Sequence, residues 1–292
     1  MTTKRLIKKI ASVLLVSALA ITGLTGCGGS GGTDASGQGS DKSSSEDKHI
    51  KVGVCAGPYG DMFKDCIQPT LEKQGYSVEI IEFSSIVEPN TALDEGELTV
   101  NVFQHSIYLK KFNEDQGTHL TYCTEIPTAG MGIFSDEYKT LDELPDKAVI
   151  AIPNDVTNTA RALRVLAQTG KITLDESVDP AAATVKDVKD NPHNYEFKEM
   201  NPEVLPQILD SVDAAIINGY FAIAAGLDLA SDLYNEEVTE GYINVIAIRE
   251  GDEDKQVIKD IVAAVHSDAF RTAIEDESKQ YKSFTKPEGY ED

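Results

Sequence analysis

Short apolar runs alternate along the chain with stretches in which apolar residues recur every three or four positions. The first pattern is typical of buried strands and the second of amphipathic helices. Strands are predicted over residues 49–54, 78–83, 98–103, 120–126, 132–134, 148–152, 214–217 and 243–248. Helices are predicted over residues 62–74, 89–93, 107–115, 156–169, 203–209, 219–225 and 255–267, with Pro69 inside the first, where a proline can kink a helix.

This alternation of strands and helices predicts an α/β fold with two lobes. Each lobe is expected to be a mixed, mostly parallel sheet flanked by helices. A hinged pair of lobes closes reproducibly when the chain crosses between them more than once, so discontinuous lobes are expected. We assign residues 49–128 and 242–292 to lobe 1 and residues 129–241 to lobe 2.

The first 48 residues are predicted to lie outside the fold. Four basic residues among the first nine precede an apolar stretch over residues 10–24, which is too short to span a bilayer but suits a secretory signal. The stretch ends in Leu24-Thr25-Gly26-Cys27, which resembles the bacterial lipoprotein signal. The alternative is an ordinary thiol after an uncleaved anchor. The interpretation we favour is a signal peptide over residues 1–26, with Cys27 lipidated as the new N-terminus.

Residues 28–48 contain six Gly and six Ser among 21 residues and no aliphatic side chain larger than Ala. Such a segment cannot bury enough apolar surface to offset its ordering entropy, which predicts a flexible tether over residues 27–48. A lipidated cysteine followed by a tether places the domain at the cell membrane, anchored by lipid and facing the extracytoplasmic side.

The charge balance is strongly acidic, with 49 Asp and Glu against 26 Lys and Arg and a net charge of −23. Loss of residues 1–26 would remove four positive charges and no negative ones. A surface of this sign excludes nucleic acid or anionic lipid as the main partner, because both require an excess of positive charge. The link to the membrane is therefore expected to be the lipid alone.

Neither a metal, a cofactor nor a catalytic centre is predicted. Cys55, Cys66 and Cys123 are odd in number and match no zinc spacing. A Cys55–Cys66 bridge and two plain buried thiols both remain open. The sequence contains no nucleophile elbow, no H-E-x-x-H motif and no phosphate-binding or dinucleotide-binding glycine loop. An enzyme that acts on an amino acid is therefore the less favoured alternative.

Ligands of open α/β sheets lie beyond the carboxyl ends of the strands. Three predicted strands are followed by polar and aromatic segments, at residues 103–108, 153–161 and 218–220. Asn154 or Asp155 is expected to cap the helix that follows. Arg161 could hold a ligand carboxylate or pair with an acid on the surface, and Tyr59 could border the pocket or be an ordinary loop tyrosine. His105 has no partner at metal-ligand spacing.

Six segments resemble, in this order, the methionine-binding lipoproteins of ABC importers: GPYGDMF, VEPNTALDEGEL, NVFQHSIYLKKFN, LDELPDKAVIAIPNDVTNTARAL, INGYFA and INVIAIRE. The resemblance covers about residues 49–280. It implies a type II-like periplasmic-binding-protein fold that closes on a free amino acid in the interlobe cleft, without catalysis, and that serves an importer permease and ATPase. Position by position, it implies ligand contacts at Phe103, His105, Tyr108, Asn158, Arg161, Asn218 and Asn244.

Elementary chemistry agrees with this ligand set. An arginine presents a planar fork of donors to a carboxylate, and amides can serve both ends of a zwitterion. Aromatic rings such as Phe103 and Tyr108 make favourable contacts with a thioether sulfur. The chain departs from the family at Ile86, where many members have an aromatic residue, and at Tyr220, where Asn or Thr is common. The expected ligand is methionine or a close relative, with another small amino acid or a methionine-containing dipeptide as the alternative.

Overall fold

A computed structural model describes residues 48–290. The predicted signal peptide, Cys27 and all of the tether except Lys48 lie outside the described residues. In chain order the strands are β1 His49–Cys55, β2 Ser77–Phe83, β3 Val100–His105, β4 Leu120–Ile126, β5 Gly132–Phe134, β6 Val149–Pro153, β7 Thr173–Leu174, β8 Val188–Asp190, β9 Glu196–Met200, β10 Ala214–Ile217, β11 Tyr234–Asn235 and β12 Asn244–Arg249. The α-helices are α1 Pro58–Met62, α2 Gln68–Lys73, α3 Glu88–Asp94, α4 Ser106–Gln116, α5 Val156–Gln168, α6 Gly219–Ala224, α7 Gln256–Val265 and α8 Asp268–Ile274.

The first large sheet of the described chain has the strand order β2-β1-β3-β12-β4. β1 pairs in parallel with β2 and β3, whereas β12 is antiparallel to both of its neighbours. All six residues of β3 are buried, as expected of a strand covered on both faces. β3 ends at His105, and α4 begins at the next residue, so this end of the sheet holds the polar segment that the sequence singled out.

The second large sheet has the order β11-β5-β10-β6-β9, in which only β5 runs against the other strands. α5 and α6 begin two or three residues after the neighbouring parallel strands β6 and β10. Both helices therefore start at the same edge of the sheet, where ligand sites of α/β folds lie. The predicted fold class of two mixed, mostly parallel sheets flanked by helices is confirmed.

The first helical region begins earlier than predicted. The sequence predicted a turn at Gly57-Pro58-Tyr59-Gly60 and a helix from Met62, but α1 already begins at Pro58, a residue suited to the first turn of a helix. Gly57 has φ +136°, and a Cβ there would lie 2.8 Å from the carbonyl oxygen of Tyr220. Glycine is therefore required where β1 turns into α1 against the second sheet.

The predicted disturbance at Pro69 takes the form of a π-helical turn at Phe63–Ile67, between α1 and α2. The backbone N–H of Gln68 donates to the carbonyl of Phe63, five residues earlier. Pro69 has no N–H to donate, and its ring crowds the preceding turn, which accounts for the wider turn just before it.

Three further elements differ from the predictions. The predicted helix at residues 203–209 is a 3₁₀ segment, Pro202–Ser211, in which Pro206 removes a backbone donor. β9 was not predicted, because its sequence EFKEM has too few apolar residues to resemble a buried strand. The last predicted helix ends at Val265, and Ser267 caps a separate helix, α8, by accepting from the backbone N–H of Phe270.

Buried apolar side chains form two clusters in the described part of the chain. Successive residues of β10, from Ala214 to Ile217, alternate between them, as side chains of a strand do. One cluster lies on the outer face of the second sheet, between β6 and α5. The other joins the inner face of that sheet to the first sheet. The two sheets therefore share one apolar cluster.

The chain passes from the first sheet to the second after β4 and returns before β12. α7 then contacts β4, α2 and the π-helical turn, and α8 contacts the same turn. Thr128, after β4, forms a bridge with Thr285 in the C-terminal segment. The C-terminal helices thus pack against elements of the first sheet. The predicted lobe 1 likewise groups residues 242–292 with residues 49–128.

Candidate functional site: a polar and aromatic cavity

A narrow cavity lies where β3, β6 and β10 end. It holds about 330 Å³ not filled by protein atoms, its mouth included. All eight predicted ligand-site residues lie together in the lining of this cavity. Ile86 and Tyr220, the two positions at which the sequence departs from the family pattern, also line it. Two further residues, Gln104 and Ala129, were not predicted. The lining is Tyr59, Ile86, Phe103, Gln104, His105, Tyr108, Ala129, Asn158, Arg161, Asn218, Tyr220 and Asn244. That these residues contact a ligand stays a prediction.

Arg161 is 3% exposed and is held by Glu236, a buried carboxylate that the sequence did not reveal. Nε of Arg161 donates to both carboxylate oxygens at 3.0 Å, and Nη2 donates to Oε2 at 2.6 Å. Nη2 of Arg164 donates to Oε1 at 2.9 Å. Arg161 therefore does pair with an acid, but in the interior and not on the surface as the alternative supposed.

This cluster of two guanidinium groups and one carboxylate keeps one positive charge in excess. Burial by itself would lower the pKa of Arg161, but the Glu236 carboxylate outweighs it and raises that pKa above its usual value. Burial would likewise raise the pKa of Glu236, but Arg161 and Arg164 lower it on balance. Arg161 and Glu236 are therefore ionised at neutral pH. Within residues 48–290, Nη1 of Arg161 makes no hydrogen bond, which leaves a charged donor for an anion.

Glu236 also ties the arginines to the connections between the sheets. Its Oε2 accepts from the backbone N–H of Met131 at 2.9 Å. Met131 lies in the first connection between the sheets, and Glu236 lies in the second. No motif marks Glu236 in a chain with 49 acids; the only usable signal was that Arg161 and Arg164 share one face of a helix.

Asn158 stands at the centre of a chain of side-chain hydrogen bonds. Its Nδ2 donates to Oδ1 and Oδ2 of Asp155 at 3.0 and 3.1 Å. Its Oδ1 accepts from Nδ2 of Asn218 at 2.8 Å. Asp155 is the residue that caps α5, because its carboxylate accepts from the backbone N–H of Asn158. Asn154 is not the cap; its side chain donates to Asn201.

His105 is neutral in this site. Its Nδ1 accepts from the backbone N–H of Tyr108 at 3.1 Å and so caps α4. The proton therefore lies on Nε2, which faces Oδ1 of Asn158 at 3.4 Å. Burial, together with the positive charge of Arg161, lowers the pKa of His105 well below its usual value. Among the described residues there is no cluster of three potential metal ligands.

Aromatic rings also line the cavity. Phe103 and Tyr108 meet edge to face with ring centres 6.1 Å apart, and Tyr59 and Tyr220 lie 5.9 Å apart. The hydroxyl of Tyr108 donates to the carbonyl of Ile86 at 3.1 Å, and burial raises the pKa of this tyrosine. The hydroxyl of Tyr59 accepts from the backbone N–H of Ala129 at 3.2 Å. Tyr59 belongs to α1 and is therefore not an ordinary loop tyrosine.

Tyr242 is a second residue that the sequence did not single out. Its ring lies 4.0 Å from the guanidinium carbon of Arg164, 5.1 Å from that of Arg161 and 4.9 Å from the ring of His105. Cations above an aromatic face are stabilised by its quadrupole. The ring thus packs His105, next to α4, against the arginines of α5.

Cys55 and Cys66 are free thiols, so the bridge that the sequence left open is not formed. Burial is the main cause that raises the pKa of both, to about 12 for Cys66. Cys123 is also free, and burial raises its pKa to about 12. These thiols are protonated at neutral pH and therefore poor nucleophiles and metal ligands.

A larger cleft of about 1140 Å³ lies beside the N-terminus of α7. Its arginine, Arg249, is fully engaged: Nη1 donates to the carbonyls of Leu93 and Leu98, and Nη2 donates to Asp252. Lys255 pairs with the same Asp252. Arg249 and Lys255 are thus engaged within the fold, so this cleft is a weaker candidate for a ligand. Separately, the described residues include no helix with the length and apolar character needed to cross a bilayer.

Two α/β sheets joined by two connections, with a polar and aromatic cavity at their facing edges, define a substrate-binding protein of the periplasmic-binding-protein fold. The chain belongs to the NlpA lipoprotein family, whose model matches residues 50–287. The family resemblance predicted from the sequence is confirmed. Membership of a substrate-binding family points away from an enzyme.

Two curated relatives carry a ligand in their names. The chain is 34% identical to the methionine-binding lipoprotein MetQ of Bacillus subtilis, across 80% of this chain and 86% of that protein. It is also 34% identical to the D-methionine-binding lipoprotein MetQ of Escherichia coli, across 79% of this chain and 86% of that protein. These relatives are named lipoproteins, which agrees with an anchored protein.

Two solved structures are similar over nearly their whole length. A nutrient-binding protein from Burkholderia cenocepacia bound to methionine is 36% identical with a TM-score of 0.74, and the match covers 80% of this chain and 97% of that one. A putative methionine-binding lipoprotein from Bacillus subtilis is 33% identical with a TM-score of 0.76, covering 82% and 99%.

Proposed function

We propose that this protein binds methionine in the cavity and delivers it to the permease and ATPase of an ABC importer. The observation that carries the proposal is the composition of the lining, which combines a buried arginine and amide side chains with aromatic rings. The arginine and the amides suit the carboxylate and the ammonium of an amino acid. The rings suit a thioether. The names of the relatives and the methionine in one related structure support the same ligand.

Tyr220 and Ile86 occupy positions where the sequence departs from the family, and both face the cavity. The Tyr220 phenol and the aliphatic side chain of Ile86 therefore form part of the wall around the ligand.

Calorimetric titration of the full chain, unfolded and refolded to strip bound ligand, tests the proposal. Methionine is expected to bind one to one, more tightly than other amino acids and methionine dipeptides. An unmodified amino acid recovered by mass spectrometry after denaturation supports a binder, whereas its turnover would support an enzyme. No heat and no change in melting temperature with any candidate would contradict the proposed function.

We propose that binding is coupled to hinge closure between lobe 1, residues 49–128 and 242–292, and lobe 2, residues 129–241. Phe103, His105 and Tyr108 lie in the first segment, and Asn158 and Arg161 lie in the second, so a ligand that meets all of them favours the closed form. Small-angle scattering should detect compaction when methionine is added to the stripped protein. An unchanged radius of gyration at saturating methionine would contradict hinge closure.

We propose that the mature protein is held at the extracytoplasmic face of the membrane by lipid on Cys27. Cys27→Ser is expected to release the chain into the soluble fraction without changing its affinity for methionine. Cys123→Ser, which alters a thiol within the fold, is the matched control and should remain with the membrane. Membrane association of Cys27→Ser equal to that of the parent would contradict a lipid anchor at this residue.

A further inference from the structure

Asp155 and His105 together determine the direction of the hydrogen bonds around Asn158. Oδ1 of Asp155 accepts from the backbone N–H of Asn158, and the Nε2–H of His105 faces Oδ1 of Asn158, so the NH₂ group of Asn158 faces Asp155. Oδ1 of Asn158 then faces Asn218, which must answer with its own NH₂ group. The carbonyl oxygen Oδ1 of Asn218 is consequently left over. It is buried and has no partner among residues 48–290.

Asn244 is oriented in a similar way by a backbone carbonyl. Its Nδ2 donates to the carbonyl of Phe103 at 3.2 Å, an atom that can only accept. Oδ1 of Asn244 is therefore also left without a hydrogen bond within the described chain. Since Asn218 and Asn244 both line the cavity, two amide oxygens of its lining remain available to accept from a donor on the ligand.

No carboxylate lines the described cavity to neutralise an ammonium group. The two nearby acids are engaged elsewhere: Glu236 by Arg161 and Arg164, and Asp155 by Asn158 and Thr157. The lining therefore offers acceptors to a hydrogen-bond donor on the α-carbon but no opposite charge to an ammonium group. An ammonium enclosed here would be compensated only by the ligand's own carboxylate, whereas a hydroxyl would avoid that desolvation cost.

We infer that this site also binds the α-hydroxy acid that carries the methionine side chain, and that it rejects the corresponding α-keto acid. The inference rests on the proposed function, because it takes the side chain and the carboxylate of the ligand from it. The hydroxyl donates to one of the two amide oxygens. The keto group, which is of similar size and also uncharged, can only accept and so faces two acceptors.

The test is calorimetric titration of the stripped full chain with four compounds: methionine, the α-hydroxy acid as separate enantiomers, the α-keto acid, and the acid with no α-substituent. One lost charge-assisted hydrogen bond should make the better enantiomer of the hydroxy acid at most about 100-fold weaker than methionine. The keto acid and the unsubstituted acid should each be weaker than the hydroxy acid by about 10-fold or more.

A variant tests whether the network of hydrogen bonds is the cause. Asp155→Asn keeps a good helix cap but supplies both a donor and an acceptor, so only the longer contact with His105, at 3.4 Å, still favours one orientation of Asn158 and Asn218. The preference for the hydroxy acid over the keto acid should fall by about 10-fold. Asp228→Asn, at a cap that does not line the cavity, is the matched control and should keep the preference of the parent.

The outcomes separate the inference from the proposed function. Methionine binding without hydroxy-acid binding, or a keto acid that binds as well as the hydroxy acid, would overturn the inference alone. An unchanged preference in Asp155→Asn would overturn the role given to the network. Failure of methionine to bind would overturn the proposed function instead.

Discussion

Glu236→Gln is the substitution that most directly tests how the polar end of the cavity is built. Gln keeps the size of the side chain but removes the charge that faces Arg161 and Arg164, at 2.6 and 2.9 Å. Removing one partner of a buried ion pair costs about 3–5 kcal/mol. Because 21% of the Arg164 side chain is exposed and water can solvate it, we expect the lower part of that range, about 3 kcal/mol, in the free energy of unfolding without ligand.

The effect of the same substitution on binding distinguishes positioning from charge. Loss of a negative charge makes the cavity more positive, so electrostatics alone predicts tighter binding of a carboxylate. We expect methionine to bind about 10-fold more weakly, or about 1.4 kcal/mol, because Gln offers one acceptor oxygen in place of the carboxylate that Nε and Nη2 of Arg161 share, so the guanidinium is held less firmly.

Urea unfolding of the stripped protein and calorimetric titration measure the two quantities separately. Glu237→Gln, at the exposed neighbouring position, changes the net charge equally and should leave both quantities close to those of the parent. A Glu236→Gln protein that unfolds within about 1 kcal/mol of the parent and binds methionine as tightly or more tightly would refute the reasoning.

Three further predictions concern single residues of the cavity. Arg161→Ala should weaken methionine binding, measured by calorimetry, by about 2–5 kcal/mol. Arg161→Lys should recover only part of the lost affinity. If Arg161→Ala binds methionine as tightly as the parent, the carboxylate is held elsewhere. Tyr108→Ala should cost less and should mainly reduce the discrimination between methionine and leucine in the same titration; unchanged discrimination would contradict a role in the ring cage. The pKa of His105 is lowered in the folded state, so the stability of the ligand-free protein should fall as the pH drops below about 6.5, the usual histidine value. Asn keeps the cap and does not titrate, so urea unfolding of His105→Asn should depend less on pH between about 5 and 7, and an unchanged slope would contradict the assignment.

The sequence predicted the parts of the site that follow the ends of regular strands. His105 is the last residue of β3, Asn218 directly follows β10, and Asn158 lies in the first turn of the helix that follows β6. Neighbouring strands bring these ends together whatever the details of packing. Glu236 and Tyr242 could not be found in this way. They lie between β11 and β12 in a connection without apolar periodicity, and their importance arises only from what the fold places opposite them.

The same distinction applies to the helices. The start of α5 was predicted because Asp155 and Asn154 are typical cap residues, yet only the three-dimensional contacts decide between the two. The early start of α1 was missed because glycine and proline at residues 57–60 usually indicate a turn. In the structure the proline begins the helix, and the glycine before it allows close approach to Tyr220.

The helix caps also determine the chemistry of the cavity. Asp155 caps α5 and, with the same carboxylate, orients the amide of Asn158; His105 caps α4 through Nδ1 and so keeps its proton on the side that faces Asn158. Both orientations are consequences of how the two helices begin, so they exist before any ligand arrives. A site organised in this way pays little reorganisation cost on binding. It also follows that a conservative change at Asp155 should alter which ligands are preferred before it alters the stability of the fold, because an asparagine still caps the helix but leaves only the longer His105 contact to orient the amides.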